Sequence, residues 1–108
     1  MMSETADESE PVVPHSLVID LGGVRSSEEL QRLLQRELQF PDFYGQNWNA
    51  FWDAVTGLVD LPPELVFTGW STFSAVLPEE ARTLRELLEE YLADYGSHRV
   101  IPRKIRYQ

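Results

Sequence analysis

The chain has 108 residues, no cysteine, and a net charge of −9 from eighteen acids against nine bases. Such a length makes one domain with a modest core, and the missing cysteine excludes a disulfide scaffold, thiol catalysis and cysteine zinc sites. A surface this acidic repels nucleic acid phosphate and anionic membranes, and attracts a basic protein.

Residues 1–14, "MMSETADESEPVVP", are polar and acidic with no periodic apolar pattern, and are expected to form a disordered tail. They lack the basic and apolar regions of a secretory signal, and no run approaches the roughly 20 apolar residues of a membrane span. A soluble, cytoplasmic protein is expected. Residues 15–108 then make the single folded domain. "SLVIDLGG", residues 16–23, is a short apolar run closed by two glycines and reads as a strand. In "SSEELQRLLQRELQF", Ser26 with Glu29 three residues on makes a capping box. Leu30, Leu33, Leu34 and Leu38 recur at helical spacing behind it, and Pro41 is expected to stop that helix.

"FPDFYGQNWNAFWDAVTG", residues 40–57, holds six of the twelve aromatic residues. Asn47 is placed to cap a second helix reaching about Val55, with Gly57 expected to end it. "ELVFTGW", residues 64–70, reads as a second strand approached through the extended Pro62-Pro63, and Ser71 is expected to cap a short helix. Pro78, Glu79 and Glu80 open a long helix. Its apolar stripe is Ala81, Leu84, Leu88, Tyr91 and Tyr95, and Gly96 is expected to end it. "HRVIPRKIRYQ" reads as a third strand whose extent Pro102 leaves open. Strands alternating with helices predict an α/β fold: a small three-stranded parallel sheet packed with about four α-helices.

On the second helix, Trp48, Phe51, Trp52 and Val55 share one face, while Asn49, Asp53 and Thr56 form a polar row on another. Spacing alone leaves two readings open, a core helix with a polar edge or an aromatic platform that presents amide and acidic groups to a partner. Enzyme chemistry has little support, because neither His15 nor His98 has a partner pattern for nucleophilic or metal chemistry. No cofactor, metal, small-molecule substrate, nucleic acid or membrane is expected.

"LQRELQFPDFYGQNWNAFWDAVTG" resembles the barstar family of ribonuclease inhibitors, without a gap from Pro41 to Gly57; the resemblance also covers the upstream strand and helix from about Leu17 and continues more loosely through "LVFTGWSTF". The resemblance implies a one-to-one intracellular inhibitor of a basic, secreted, guanyl-specific ribonuclease of the barnase-like type, a monomer when free. It implies that Asp53 is the carboxylate that enters the phosphate site, braced by Trp52, with Asn49 one turn earlier on the same face. Gly45 and Asn47 would shape the loop against the enzyme, Phe43 and Tyr44 would cover the rim, and Thr56 and Gly57 complete the matched motif. A second patch is implied on the long helix, with Glu89 and Glu90 as candidates, of which Glu90 is carried as the contact. Asn49 stands where the family commonly has aspartate and Phe43 where tyrosine is common. Those two departures keep alive a second reading, a barstar-fold interaction module for a partner that is not a nuclease.

Overall fold

The computed structural model describes residues 15–42, 44–95 and 102–108. Strand β1 (Ser16–Asp20) leads to helix α1 (Ser27–Leu38) and α2 (Trp48–Asp53), followed by β2 (Glu64–Thr68), α3 (Trp70–Val76), α4 (Pro78–Asp94) and β3 (Lys104–Tyr107). The strands form one parallel sheet in the order β1-β2-β3, with Leu17 opposite Leu65 and Leu65 opposite Ile105. This is the expected α/β architecture, three parallel strands and four helices.

Alternation along the strands divides the sheet. Ile19, Leu65 and Phe67 enter the core, with Leu17, Ile105 and Tyr107 packed against it. The opposite face is largely open: Val18 is 57% exposed and Glu64 pairs with Arg106 at 3.1 Å, while Val66 between Val18 and Arg106 is buried. The helices supply the other half of the core, with Leu30, Leu34, Phe51, Phe73, Leu84, Leu88 and Tyr91 fully buried. None of the helices among the described residues is long and apolar enough to cross a membrane.

The caps follow local chemistry. Ser26 Oγ accepts from Glu29 N–H at 3.1 Å, while the Glu29 carboxylate accepts from Arg25 N–H, one residue before the expected partner. Helix α1 ends at Leu38, ahead of Pro41, because Gln39 turns left-handed (φ 60°) and returns its N–H to Gln35 O.

Three expectations need correction. Ser71 does not cap α3. The helix starts at Trp70, with Gly69 at the cap in a left-handed conformation (φ 67°) and no side-chain cap bond. Gly57 does not end α2. The chain widens into a π-helical turn, Ala54–Leu58, closed by Val59 N–H donating to Ala54 O at 3.0 Å, so Gly57 lies inside that turn and the α-helical stretch stops at Asp53. Tyr95 falls on the apolar stripe of α4 but is 42% exposed, because the helix runs past the edge of the core. Among the described residues of the third strand, Lys104–Tyr107 pair with β2, and the expected helix stop at Gly96 lies outside the described residues, as do residues 98–101 and the tail 1–14.

Candidate functional site

Helix α2 is short and rests on one fully buried side chain, Phe51. Its start is fixed by Asn47, in extended conformation, whose side-chain oxygen accepts from Ala50 N–H at 2.8 Å and whose amide donates to Gly45 O at 3.2 Å. Asn47 therefore serves both the helix and the loop before it. Gly45 is exposed, and a Cβ there would come within 3.2 Å of the Asn47 amide nitrogen.

The two tryptophans are half-buried and tie α2 to α4. Trp48 Nε1 donates to Glu80 at 3.1 Å, and its ring meets Phe51 edge-on at 5.3 Å. Trp52 meets the exposed ring of Tyr95 edge-on at 6.2 Å. A shallow groove of about 560 Å³ runs between the two helices. Trp48, Trp52 and Leu87 line its apolar part, and Asn49, Asp53, Thr83 and Glu90 its polar part.

Asp53, Asn49 and Glu90 are all exposed. Among the described residues, no cation lies within ion-pair distance of Asp53 or Glu90. Glu89 behaves differently. It pairs with Arg85 at 3.1 Å, and the Arg85 guanidinium lies 4.5 Å over the Tyr107 ring. The two neighbouring glutamates thus face different sides of α4, and only Glu90 shares the groove with Asp53.

The other candidates are placed separately. Thr56 Oγ1 donates to Trp52 O at 2.7 Å, and Thr56 and Gly57 border a different hollow with Leu58 and Asp60. Phe43 lies outside the described residues. Tyr44, expected at the rim, is buried in the free protein. It is 8% exposed, packs on Phe40 at 4.8 Å, and gives its hydroxyl to the buried Gln31. Burial pushes its phenol well above the usual range, so it remains a donor. Glu80, Tyr95, Gln31 and Gln35 bear on this surface without a motif in the sequence to announce them. For Tyr95 the signal was its place at the very end of an apolar stripe.

These features define a class: a small parallel α/β domain whose second helix offers an acidic and aromatic face beside the longest helix. Residues 14–107 match the family described as Barstar (barnase inhibitor), and the chain belongs to that family. A curated relative from Bacillus subtilis (strain 168), named "Putative ribonuclease inhibitor YrdF", is 36% identical over 74 residues, which is 68% of this chain and 81% of that protein.

Proposed function

We propose that this chain is an intracellular inhibitor that binds one-to-one to a basic, guanyl-specific ribonuclease of the barnase-like type and blocks its active site. The observation that carries this reading is the pair of exposed carboxylates, Asp53 and Glu90, that face one groove beside Trp52 with no cation within ion-pair distance among the described residues. Family membership and the name of the relative support the enzyme class of the partner. A ribonuclease must hold phosphate, so its site carries arginine, lysine or histidine. A carboxylate entering that site gains charge-assisted hydrogen bonds that RNA phosphate would otherwise take. Asp53 is the phosphate mimic. Trp52 holds it up from the groove, Glu90 meets a second cation, and the exposed Gly45–Asn47 stretch fits against the enzyme. The net charge of −9 speeds encounter with a cationic enzyme. The inhibitor performs no chemistry and acts by occlusion.

The test is a titration of RNA cleavage by a panel of guanyl-specific bacterial ribonucleases. At least one enzyme is expected to lose activity linearly, with an end point near one inhibitor per enzyme. A panel left fully active at large excess of the chain would point instead to a partner that is not a nuclease.

Asn49 lies one turn before Asp53 and supplies an amide without charge. Asn49→Asp is expected to tighten the complex by about tenfold and to steepen its salt dependence, because the added anion faces the same cationic cleft. Weaker binding of the variant would mean that the enzyme presents an acceptor there, and that Asn49 selects the partner by hydrogen bonding.

A further inference from the structure

We infer that Gln31 and Gln35 of α1 are positioning residues that hold the described parts of the presenting loop, residues 40–42 and 44–47, in their binding-ready shape. This rests on the inhibitor reading for its consequence in binding, but the loop's shape can be measured without a partner. The two glutamines are one turn apart, so they project from the same side of α1. Each takes hold of a different part of the loop.

Gln31 is 4% exposed, the one buried polar residue among those described. Its side-chain oxygen accepts from the Tyr44 hydroxyl. A buried amide is stable only when bonded, so this contact fixes Tyr44 as well as Gln31. Tyr44 in turn lies against Phe40, which lies against Phe51 of α2 at 5.8 Å. Gln31 therefore anchors the middle of the loop to the core beneath the groove helix.

Gln35 holds both ends. Its backbone oxygen accepts from Phe40 N–H at 3.0 Å. Its side-chain amide donates to Pro41 O at 3.0 Å, and its side-chain oxygen accepts from the Gln46 amide at 3.1 Å. Pro41 O also accepts from Tyr44 N–H at 2.9 Å, so the Gln35 amide bonds the carbonyl that closes this turn. Gln46 has a left-handed backbone (φ 56°), a conformation that a residue with a Cβ adopts at a cost. The bond to Gln35 offsets that cost. Gln46 stands between Gly45 and Asn47, the two loop residues proposed to touch the enzyme. Releasing Gln46 lets the loop relax toward extended backbone and carries Asn47, the cap of α2, with it.

Free loops lose affinity because binding must then order them, so pre-ordering appears as affinity without adding a contact. Gln35 is the better residue to change, since its side chain is only partly buried. In the free full-length protein, Gln35→Ala is expected to speed amide hydrogen exchange at Tyr44 and Ala50, whose N–H groups bond Pro41 O and the Asn47 side chain, by about tenfold, with exchange in β2 and the melting temperature nearly unchanged. Against a ribonuclease that the wild type inhibits, the same variant is expected to bind about tenfold more weakly. Gln46→Ala removes only the bond the two glutamines share and should reproduce part of that loss; the double variant should lose little more than Gln35→Ala, which already removes both that bond and the one to Pro41 O. Gln35→Glu retains the acceptor for Gln46 and is expected to recover part of the affinity. Tyr44→Phe, which keeps the ring, tests the Gln31 arm in the same way.

The inference is overturned if loop exchange is unchanged in Gln35→Ala. It is overturned too if exchange quickens while inhibition by the variant equals that of the wild type. A wild type that inhibits no ribonuclease, with exchange quickened in the variant, removes the inhibitor reading and leaves the brace standing as a property of the loop.

Discussion

Asp53→Ala is expected to weaken ribonuclease binding by at least about a thousandfold, seen mainly as faster dissociation, while the free protein becomes slightly more stable. The two effects have opposite signs for one physical reason. Asp53 is exposed, has no ion-pair partner among the described residues, and shares a groove with another carboxylate, Glu90. In the free protein two carboxylates on one groove gain nothing from each other, and aspartate is a poorer helix former than alanine by about 0.5 kcal/mol. In the proposed complex the same carboxylate would meet desolvated cations. Close interfacial charge pairs couple by about 1.5–7 kcal/mol, a range measured on the barnase–barstar complex itself. Removing the anion leaves those cations buried without a partner, which lengthens the loss. Stopped-flow dissociation and a thermal melt check both halves. Glu89→Ala is the control. Glu89 is one residue from Glu90 but faces Arg85 and Tyr107, so its loss should leave dissociation nearly unchanged. Equal losses from Glu89→Ala and Asp53→Ala would mean that net charge and not the groove governs binding. An Asp53→Ala variant as potent as the wild type would place the contact surface elsewhere.

What could be read from the sequence divides along the range of the interactions. Ser26 and Asn47 were legible as caps because a cap is decided within three residues, and both act as expected. The parallel sheet was legible because apolar runs alternated with helical periods. The side of α4 that faces the groove was not, because Glu89 and Glu90 differ only in which neighbour they meet. That is decided by Leu84, Leu88 and Tyr91 turning the helix into the core. Tyr95 fits the apolar stripe by spacing and still reaches solvent, since periodicity gives a direction and not the distance to the core edge. The resemblance implies an exposed Tyr44 at the rim, yet the ring is buried, and Gln31, thirteen residues earlier, gives its hydroxyl a partner that no local signal announces. Gln31 and Gln35 carried no signal, since a glutamine on a helix is ordinarily a solvated residue. The π-helical turn was hidden for a related reason. Gly57 has the composition of a helix stop, but the chain leaves α2 without a left-handed residue there.

Gly69→Ala is expected to destabilise the fold more than any surface change, by about 3 kcal/mol or more, although Gly69 takes no part in the site. Gly69 follows β2 and opens α3 with φ 67°. A side chain in that conformation costs about 1–2 kcal/mol before any contact is counted. Contacts then add to it. A Cβ at Gly69 would lie 2.6 Å from Gly22 N and 2.7 Å from Gly22 Cα, and 2.9 Å from the Asp20 side-chain oxygen that accepts the Gly22 N–H. Two of those atoms are backbone and cannot rotate away. The clash also sits where β1 and β2 end together, joined by Leu21 N–H donating to Thr68 O at 2.9 Å, so relief requires pulling the strand ends apart. For a domain of this size 3 kcal/mol lowers the melting temperature by roughly 12–24 °C. Gly23→Ala is the matched control, because nothing lies within 4 Å of a Cβ there and its φ is not left-handed. That change should be neutral or stabilise by up to about 1 kcal/mol through the unfolded state. Thermal melts of the two variants decide the matter, and a Gly69→Ala protein melting within a few degrees of the wild type would mean the strand ends can separate cheaply. Where the variant remains folded, at low temperature, it should inhibit as the wild type does, since the loop, α2 and the groove rest on α1 and α4 and not on the Gly22–Gly69 crossing.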